Sequence, residues 1–266
     1  MSNFEFRQID VFTSKPLSGN PLAVVLDADH LDETMMQRVA VEMNLSETAF
    51  VLKPTTPDAD YRLRIFTPKR ELPFAGHPSV GTAFVLFQEG RFGDICEGLT
   101  VHQEVGIGIL PIEISPPSDE PLIMMTQGEP VGLGNIENID RLSECLECRL
   151  GDLSYSQLQP RISSTGLRQL MVPLGHPEIL SSLTPNLTML AGLERDLDIT
   201  GVCVFAFENP TSVRVRFFSP ESGIPEDPAT GSAAGALGAY LAAQGALEVT
   251  DERARMTVSQ GVEINR

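Results

Sequence analysis

Apolar and polar positions alternate along residues 4–12, 61–66 and 213–218, the period-2 signature of half-buried β-strands. Arg62 and Arg64 then share one strand face, as do Arg214 and Arg216, and both pairs are expected on solvated outer faces. Residues 101–115 alternate as well, with Gly106 and Gly108 inside the pattern, and add further strand. Between Asp32 and Met43 the spacing changes. Met35, Met36, Val39, Ala40 and Met43 recur at helical intervals, and Asp32-Glu33 stands where the positive end of a helix dipole favours acidic side chains. This methionine stripe reads as core.

Two segments fit neither pattern. Residues 78–87 and 229–243 have helical length but little charge, and the run from Ala233 to Tyr240 is apolar on nearly every face. A helix with no polar face is expected to be buried all round. Alanine and glycine at this density suit a helix threaded through a curled sheet, where room for side chains is small. The chain is therefore read as α+β, with mostly antiparallel strands forming two barrels, each around its own central α-helix.

The two halves also resemble each other. Tyr61-Arg62-Leu63-Arg64-Ile65-Phe66-Thr67-Pro68 matches Val213-Arg214-Val215-Arg216-Phe217-Phe218-Ser219-Pro220, 152 residues on. Pro73 then falls over Pro225, and a shift of three residues sets Gly76-His77 over Gly231-Ser232. Upstream, Arg7-Gln8-Ile9 resembles Arg168-Gln169-Leu170, residues 32–43 resemble 185–197, and 49–54 resemble 205–210. The seam is expected around residues 116–130, where Pro116-Pro117-Ser118-Asp119-Glu120-Pro121 reads as a turn-rich connection.

Length and charge narrow the function. At 266 residues the chain has room for about two domains. Its 19 Lys and Arg against 36 Asp and Glu give a net charge of −17, a field that repels nucleic acid and anionic lipid surfaces. The N-terminal residues show no basic stretch followed by an apolar one, and no window reaches the roughly 18 apolar residues of a membrane span, so a cytoplasmic location is expected. The cysteines, Cys96, Cys145, Cys148 and Cys203, are too few for a disulfide scaffold. Cys145-Leu146-Glu147-Cys148 lacks the further ligands a zinc site needs. No Gly-x-Gly-x-x-Gly opens a strand-turn-helix unit and no Gly-x-Ser-x-Gly elbow is present. No metal, nicotinamide or flavin is expected.

The chemistry then falls to the starts of the two apolar helices. A buried helix start leaves four N–H groups to satisfy and carries a partial positive charge, and Gly76 and Gly231 let a ligand approach the backbone. If the halves face one another, a small carboxylate would suit both starts. His77 follows Gly76, Ser232 follows Gly231, and Asp227 precedes the second helix. These types exchange protons near neutral pH, donate to a carboxylate, or accept from an amine or hydroxyl. Each has a plain alternative: a core histidine, or helix caps for Asp227 and Ser232. Glu47, in Asn44-Leu45-Ser46-Glu47-Thr48-Ala49-Phe50-Val51, stands between a helix end and an apolar strand, where the second half is read to carry Cys203. Apolar surroundings suit a carboxyl for shuttling protons; the alternative is a loop glutamate capping its neighbours.

Asp10-Val11-Phe12 through Gly19-Asn20-Pro21-Leu22-Ala23-Val24-Val25, the segment around Glu47, Arg64-Ile65-Phe66-Thr67-Pro68, Ala75-Gly76-His77-Pro78 and Glu226-Asp227-Pro228-Ala229-Thr230-Gly231-Ser232-Ala233 together resemble the PhzF-like phenazine-biosynthesis family. Its fold is that of diaminopimelate epimerase. The resemblance implies two similar barrels with the active cleft between them, a homodimer, and a cofactor-independent isomerase that moves a proton on a small carboxylate-bearing substrate. On that model Glu47 is the general acid and base. His77, Asp227 and Ser232 orient the substrate, assisted by backbone N–H groups at Gly76 and Gly231. Racemases of this fold place a cysteine at each helix start, where this chain has Ala75 and Thr230. The family also implies a last strand returning to the first barrel, giving domains of 1–118 and 119–255 with residues near 256–266 completing the first. The alternatives are a non-catalytic small-molecule binder, and an epimerase or racemase of a small amino or hydroxy acid.

Overall fold

The alternation at the N-terminus becomes β1 (Phe6–Val11), which pairs antiparallel with β2 (Asn20–Val25). The structure, a computed structural model, describes residues 4–93, 97–115 and 121–266, and the chain divides into units Met1–Thr126 and Gln127–Arg266. Residues 116–120 of the expected seam, and Cys96, lie outside the described residues.

In the first unit β2 runs parallel to β3 (Glu47–Leu52), and the crossover is α1 (Glu33–Met43). Asp32 caps α1 by accepting from the Met35 N–H, and Asn44 ends it at φ 51°, a left-handed conformation that Asn tolerates because its short side chain bonds locally. Met36, Val39 and Ala40 pack on Val25, Phe50 and Phe66, while Met35 is exposed. β3 pairs with β4 (Tyr61–Phe66). The other edge of β4 is shared end to end by β5 (Glu71–Leu72), antiparallel, and β6 (Leu99–Val105), parallel. Gly106 does not sit within a strand. Val105 pairs with Gly108, so Gly106 and Ile107 turn a hairpin from β6 into β7 (Gly108–Ile114), which β8 (Ile123–Met125) joins. α2 (Gly76–Gln88) packs against β1, β2, β3, β7 and β8. Strands from both ends of the sheet touch it, so the sheet curls round the helix as expected.

The second unit repeats the plan with additions. β9 (Val131–Asn135), β10 (Arg161–Ser164) and β11 (Arg168–Pro173) are antiparallel neighbours. β11 then runs parallel to β12 (Val202–Asn209), and β12 antiparallel to β13 (Ser212–Ser219). β14 (Ile224–Asp227) and β15 (Thr257–Gln260) share the far edge of β13, as β5 and β6 share that of β4. The strands are apolar on both faces because both are covered. Leu170, Val172, Val202, Val204 and Phe218 face α3 (Ile139–Leu146), α4 (Pro177–Ser182) and α5 (Leu187–Leu197). The alternate residues Met171, Cys203, Phe205, Val213, Val215 and Phe217 face α6 (Gly231–Ala243).

Four expectations change. α6 is less enclosed than expected: Ser232, Ala233, Ala236, Leu237, Tyr240 and Leu241 are buried, while Ala234, Gly235, Gly238 and Ala239 stay partly exposed. Residues 257–260 pair with β13 and so belong to the second sheet; Glu263 reinforces this through an ion pair with Arg214 of 3.3 Å. Arg216 is no solvated strand residue. It is buried, held bidentately by Glu226 at 2.9 and 2.7 Å, and its Nη1 donates to the Leu180 and Leu183 carbonyls. Lastly, by its place in the sheet order β11 corresponds to β2, so Arg168-Gln169-Leu170 is not the counterpart of Arg7-Gln8-Ile9 in β1.

Candidate active site

Strand register fixes which residues correspond between the units. Thr48 lies opposite Phe66 and Val202 opposite Phe218, so the counterpart of Glu47 is Gly201 and not Cys203. A Cβ at Gly201 would lie 2.2 Å from the Phe217 ring; that aromatic side chain fills the space beside it. Downstream a constant offset of 155 holds. Leu72 corresponds to Asp227, Pro73 to Pro228, Ala75 to Thr230, Gly76 to Gly231, His77 to Ser232, Val105 to Gln260 and Gly106 to Gly261. Pro73 therefore matches Pro228 and not Pro225. The three extra residues precede β14, where a 3-10 turn at Pro220–Ser222 leaves β13. The two glycines confirm the match physically: a Cβ at Gly106 would come within 2.8 Å of Pro73 Cα, and one at Gly261 within 2.7 Å of the Pro228 carbonyl oxygen.

Both central helices start without a side-chain cap, at Ala75 and at Thr230. By contrast α1, α3 and α5 are capped by Asp32, Asn138 and Asn186. The first turns of α2 and α6 thus present backbone N–H groups that no local side chain has claimed, a setting suited to an anion.

In the first unit, Glu47 opens β3 and is 8% exposed; its Oε2 lies 3.4 Å from Nδ1 of His77, the second residue of α2 and 4% exposed. Burial pulls the His77 pKa down to about 3, with the Pro21 backbone acting weakly the other way. The imidazole is neutral at physiological pH, and its Nε2 is buried with no hydrogen-bond partner among the described residues. The expectation that this histidine exchanges protons near neutrality therefore fails on desolvation, which disfavours the charged ring. What remains is a rigid, uncharged hydrogen-bonding group against a carboxyl.

In the second unit, Asp227 ends β14, is buried, and accepts from the Thr230 hydroxyl at 2.5 Å. Ser232 accepts from Gln169 Nε2 at 3.2 Å. Gln127 donates to the Gly231 carbonyl at 2.8 Å, and its amide lies so close to α6 that a Cβ at Gly235 would meet it at 2.3 Å. Gln260 bonds Thr230 and the Asp227 backbone. Gln127, Gln169 and Gln260 were not singled out from the sequence. Gln260 had a signal, since it precedes the glycine that repeats Gly106; Gln169 was met only inside a repeat match set against the wrong strand, and Gln127 lies in a run without repeat or motif.

Among the described residues no thiol takes part in either helix start. Cys203 faces α6 in the core, where burial pushes its pKa up to about 12, and Cys145 and Cys148 pack in and behind α3, the latter pushed up to about 11. Among the described residues no group of three or more His, Cys, Asp or Glu is arranged to hold a metal, and no helix is long and apolar enough to cross a membrane.

Comparison with known proteins places this arrangement. Residues 9–266 match the family model for phenazine biosynthesis-like proteins, PhzC-PhzF. The trans-2,3-dihydro-3-hydroxyanthranilate isomerase of Pseudomonas fluorescens is 39% identical over 258 residues, covering 97% of this chain and 86% of the relative. Antisense-enhancing sequence 1 of Schizosaccharomyces pombe is 36% identical over 277 residues, covering 100% and 88%. The crystal structure of the PhzF-family phenazine biosynthesis protein of Bacillus anthracis superposes with a TM-score of 0.85 at 30% identity, covering 100% of this chain and 88% of the other. The α+β fold, the duplicated helix starts and these matches agree: the chain belongs to the phenazine biosynthesis-like family, a family of isomerases.

Proposed function

We propose that this isomerase moves a proton on a small carboxylate-bearing substrate without a cofactor, with Glu47 as general acid and base. The observation that carries the reading is the buried Glu47 carboxyl set against a neutral, buried His77 at 3.4 Å. Ionised Glu47 takes a proton from a substrate carbon, and the electron pair left behind spreads through the conjugated system. Glu47, now protonated, returns the proton at another carbon, so substrate and product are isomers and nothing is oxidised. A neutral His77 beside Glu47 offers no competing acid.

In this reading each helix start offers groups to a substrate: in the first unit the backbone N–H groups at Gly76 suit a carboxylate, and in the second those at Gly231 with the Ser232 hydroxyl do the same, while Asp227 suits an amine or hydroxyl. The compound in the name of the Pseudomonas fluorescens relative carries all three groups, which supports its use as the assay probe. The absence of a cysteine at Ala75 and Thr230 favours proton shuttling by a carboxyl over two-thiol racemisation. Glu47→Gln is expected to leave the fold intact and lower kcat on this probe at least about a hundredfold, the usual worth of a positioned acid-base group. Undiminished turnover and undiminished deuterium uptake from D2O would remove Glu47 from the mechanism.

A further inference from the structure

Asp227, Thr230 and Gln260 form a connected set of hydrogen bonds. Gln260 Nε2 donates to the Asp227 backbone carbonyl at 2.7 Å and to Thr230 Oγ1 at 2.9 Å, while its Oε1 accepts from the Thr230 N–H at 3.1 Å. The backbone donor on one side and the backbone acceptor on the other leave only one orientation for the amide. Since an amide nitrogen can only donate, the Thr230 hydroxyl must direct its own proton away, and it does so to Asp227 Oδ2 at 2.5 Å. The side chain of Asp227 is thus held by a relay that starts on β15.

The duplication supplies an internal control. The counterparts of Asp227, Thr230 and Gln260 in the first unit are Leu72, Ala75 and Val105, none of which has a polar side chain. The same junction is built there, with β5 and β6 sharing one edge of β4 and Gly106 against Pro73 as Gly261 is against Pro228. The fold can therefore close this corner with three apolar residues, and replacing a whole bonded set by apolar groups is close to neutral for stability. Polar residues at all three places in one unit, and none in the other, point to a task other than folding.

We propose that Gln260 and Thr230 are positioning residues that fix the Asp227 carboxylate as a hydrogen-bond acceptor for the substrate's amine or hydroxyl. This rests on the isomerase reading given above. The test installs two of the first unit's three residues and leaves Asp227 in place. With trans-2,3-dihydro-3-hydroxyanthranilate as probe, Thr230→Ala/Gln260→Val is expected to melt within a few degrees of the parent while kcat falls at least about tenfold, the scale of a misaligned substrate, and KM changes less than about threefold. Thr230→Ser should recover most of the turnover lost in Thr230→Val. In an Asp227→Asn background Thr230→Val should cost nothing further, because the relay then has nothing to hold. Loss of the folded double variant, unchanged kcat, or a fully additive penalty in the Asp227→Asn background each overturns the proposal. Should the parent itself fail to turn over the probe, the isomerase reading fails by itself. The relay is then decided by the crystal structure of Thr230→Val, where an Asp227 carboxylate in its parent position refutes it.

Discussion

His77 shows how burial decides what a side chain can do. An imidazole with an ordinary pKa near 6.5 that falls to about 3 on folding stays neutral in the native protein, while the unfolded chain takes up a proton as the pH drops through 6.5. The unfolded state then binds more protons, so the contribution of His77 is fully present above 6.5 and is lost progressively as pH falls towards 3, at up to about 1.4 kcal/mol per pH unit. Urea midpoints measured at pH 7, 6 and 5 are expected to fall more steeply for the parent than for His77→Gln; parallel slopes would mean that folding leaves the ring's affinity for a proton unchanged. The sequence pointed to His77 and Glu47 by their places beside a helix start and an apolar strand, and the structure brings them together. The neutral state of the ring was not legible, since desolvation depends on what packs around it and the chain order does not say. Thr230 was visible only as a position lacking a cysteine, and its hydroxyl became meaningful once Gln260, distant in sequence, was seen to bond it.

Arg64 and Arg216 are the same residue of the repeat in two environments. Each is paired with the strand that follows, Arg64 with Glu71 and Arg216 with Glu226, and each lies over a phenylalanine, at 5.2 Å from Phe66 and 5.0 Å from Phe218. The first pair borders solvent through Glu71 and Glu33, whereas the second is enclosed and also serves two carbonyls. Arg216→Leu strands a largely enclosed carboxylate and two carbonyl acceptors and is expected to cost about 3 kcal/mol. Arg64→Leu should cost about 1 kcal/mol or less. Urea unfolding of both variants at pH 7 compares them, and equal losses would contradict the difference in burial. Periodicity found β1, β4, β6, β7, β13 and α1, the likeness between the halves found α5, and the lack of a polar face found α2 and α6. The likeness misplaced Pro225 because a local insertion of a 3-10 turn looks, in one dimension, like a shift of the later helix. The lack of a polar face overstated the cover on α6, because an apolar helix is indifferent to how far a sheet passes round it.

The duplication is the largest feature that the sequence disclosed, and the charge is the other. A surface carrying −17 repels itself, and the repulsion weakens as the screening length shrinks from about 30 Å at 0.01 M salt to about 10 Å at 0.1 M. The melting temperature is therefore expected to rise by at least about 2 °C between 10 and 300 mM sodium chloride, a shift of about 0.5–1 kcal/mol in stability, with differential scanning fluorimetry as the measurement. A flat or falling curve would show that attractive pairs outweigh the net charge.

Gly201 and Phe217 bear on how such a duplicated chain can change. An arrangement with an acid at this place in each half cannot be reached here by one substitution, because a side chain at 201 would collide with the ring of Phe217. Shrinking the ring first opens a void in the packing against α6, and placing the acid first creates a collision. The asymmetry between the halves is thus locked by a pair of residues that must alter together, and inheritance of the lone carboxyl at Glu47 is enforced by the steric bulk of a side chain in the opposite half of the sequence.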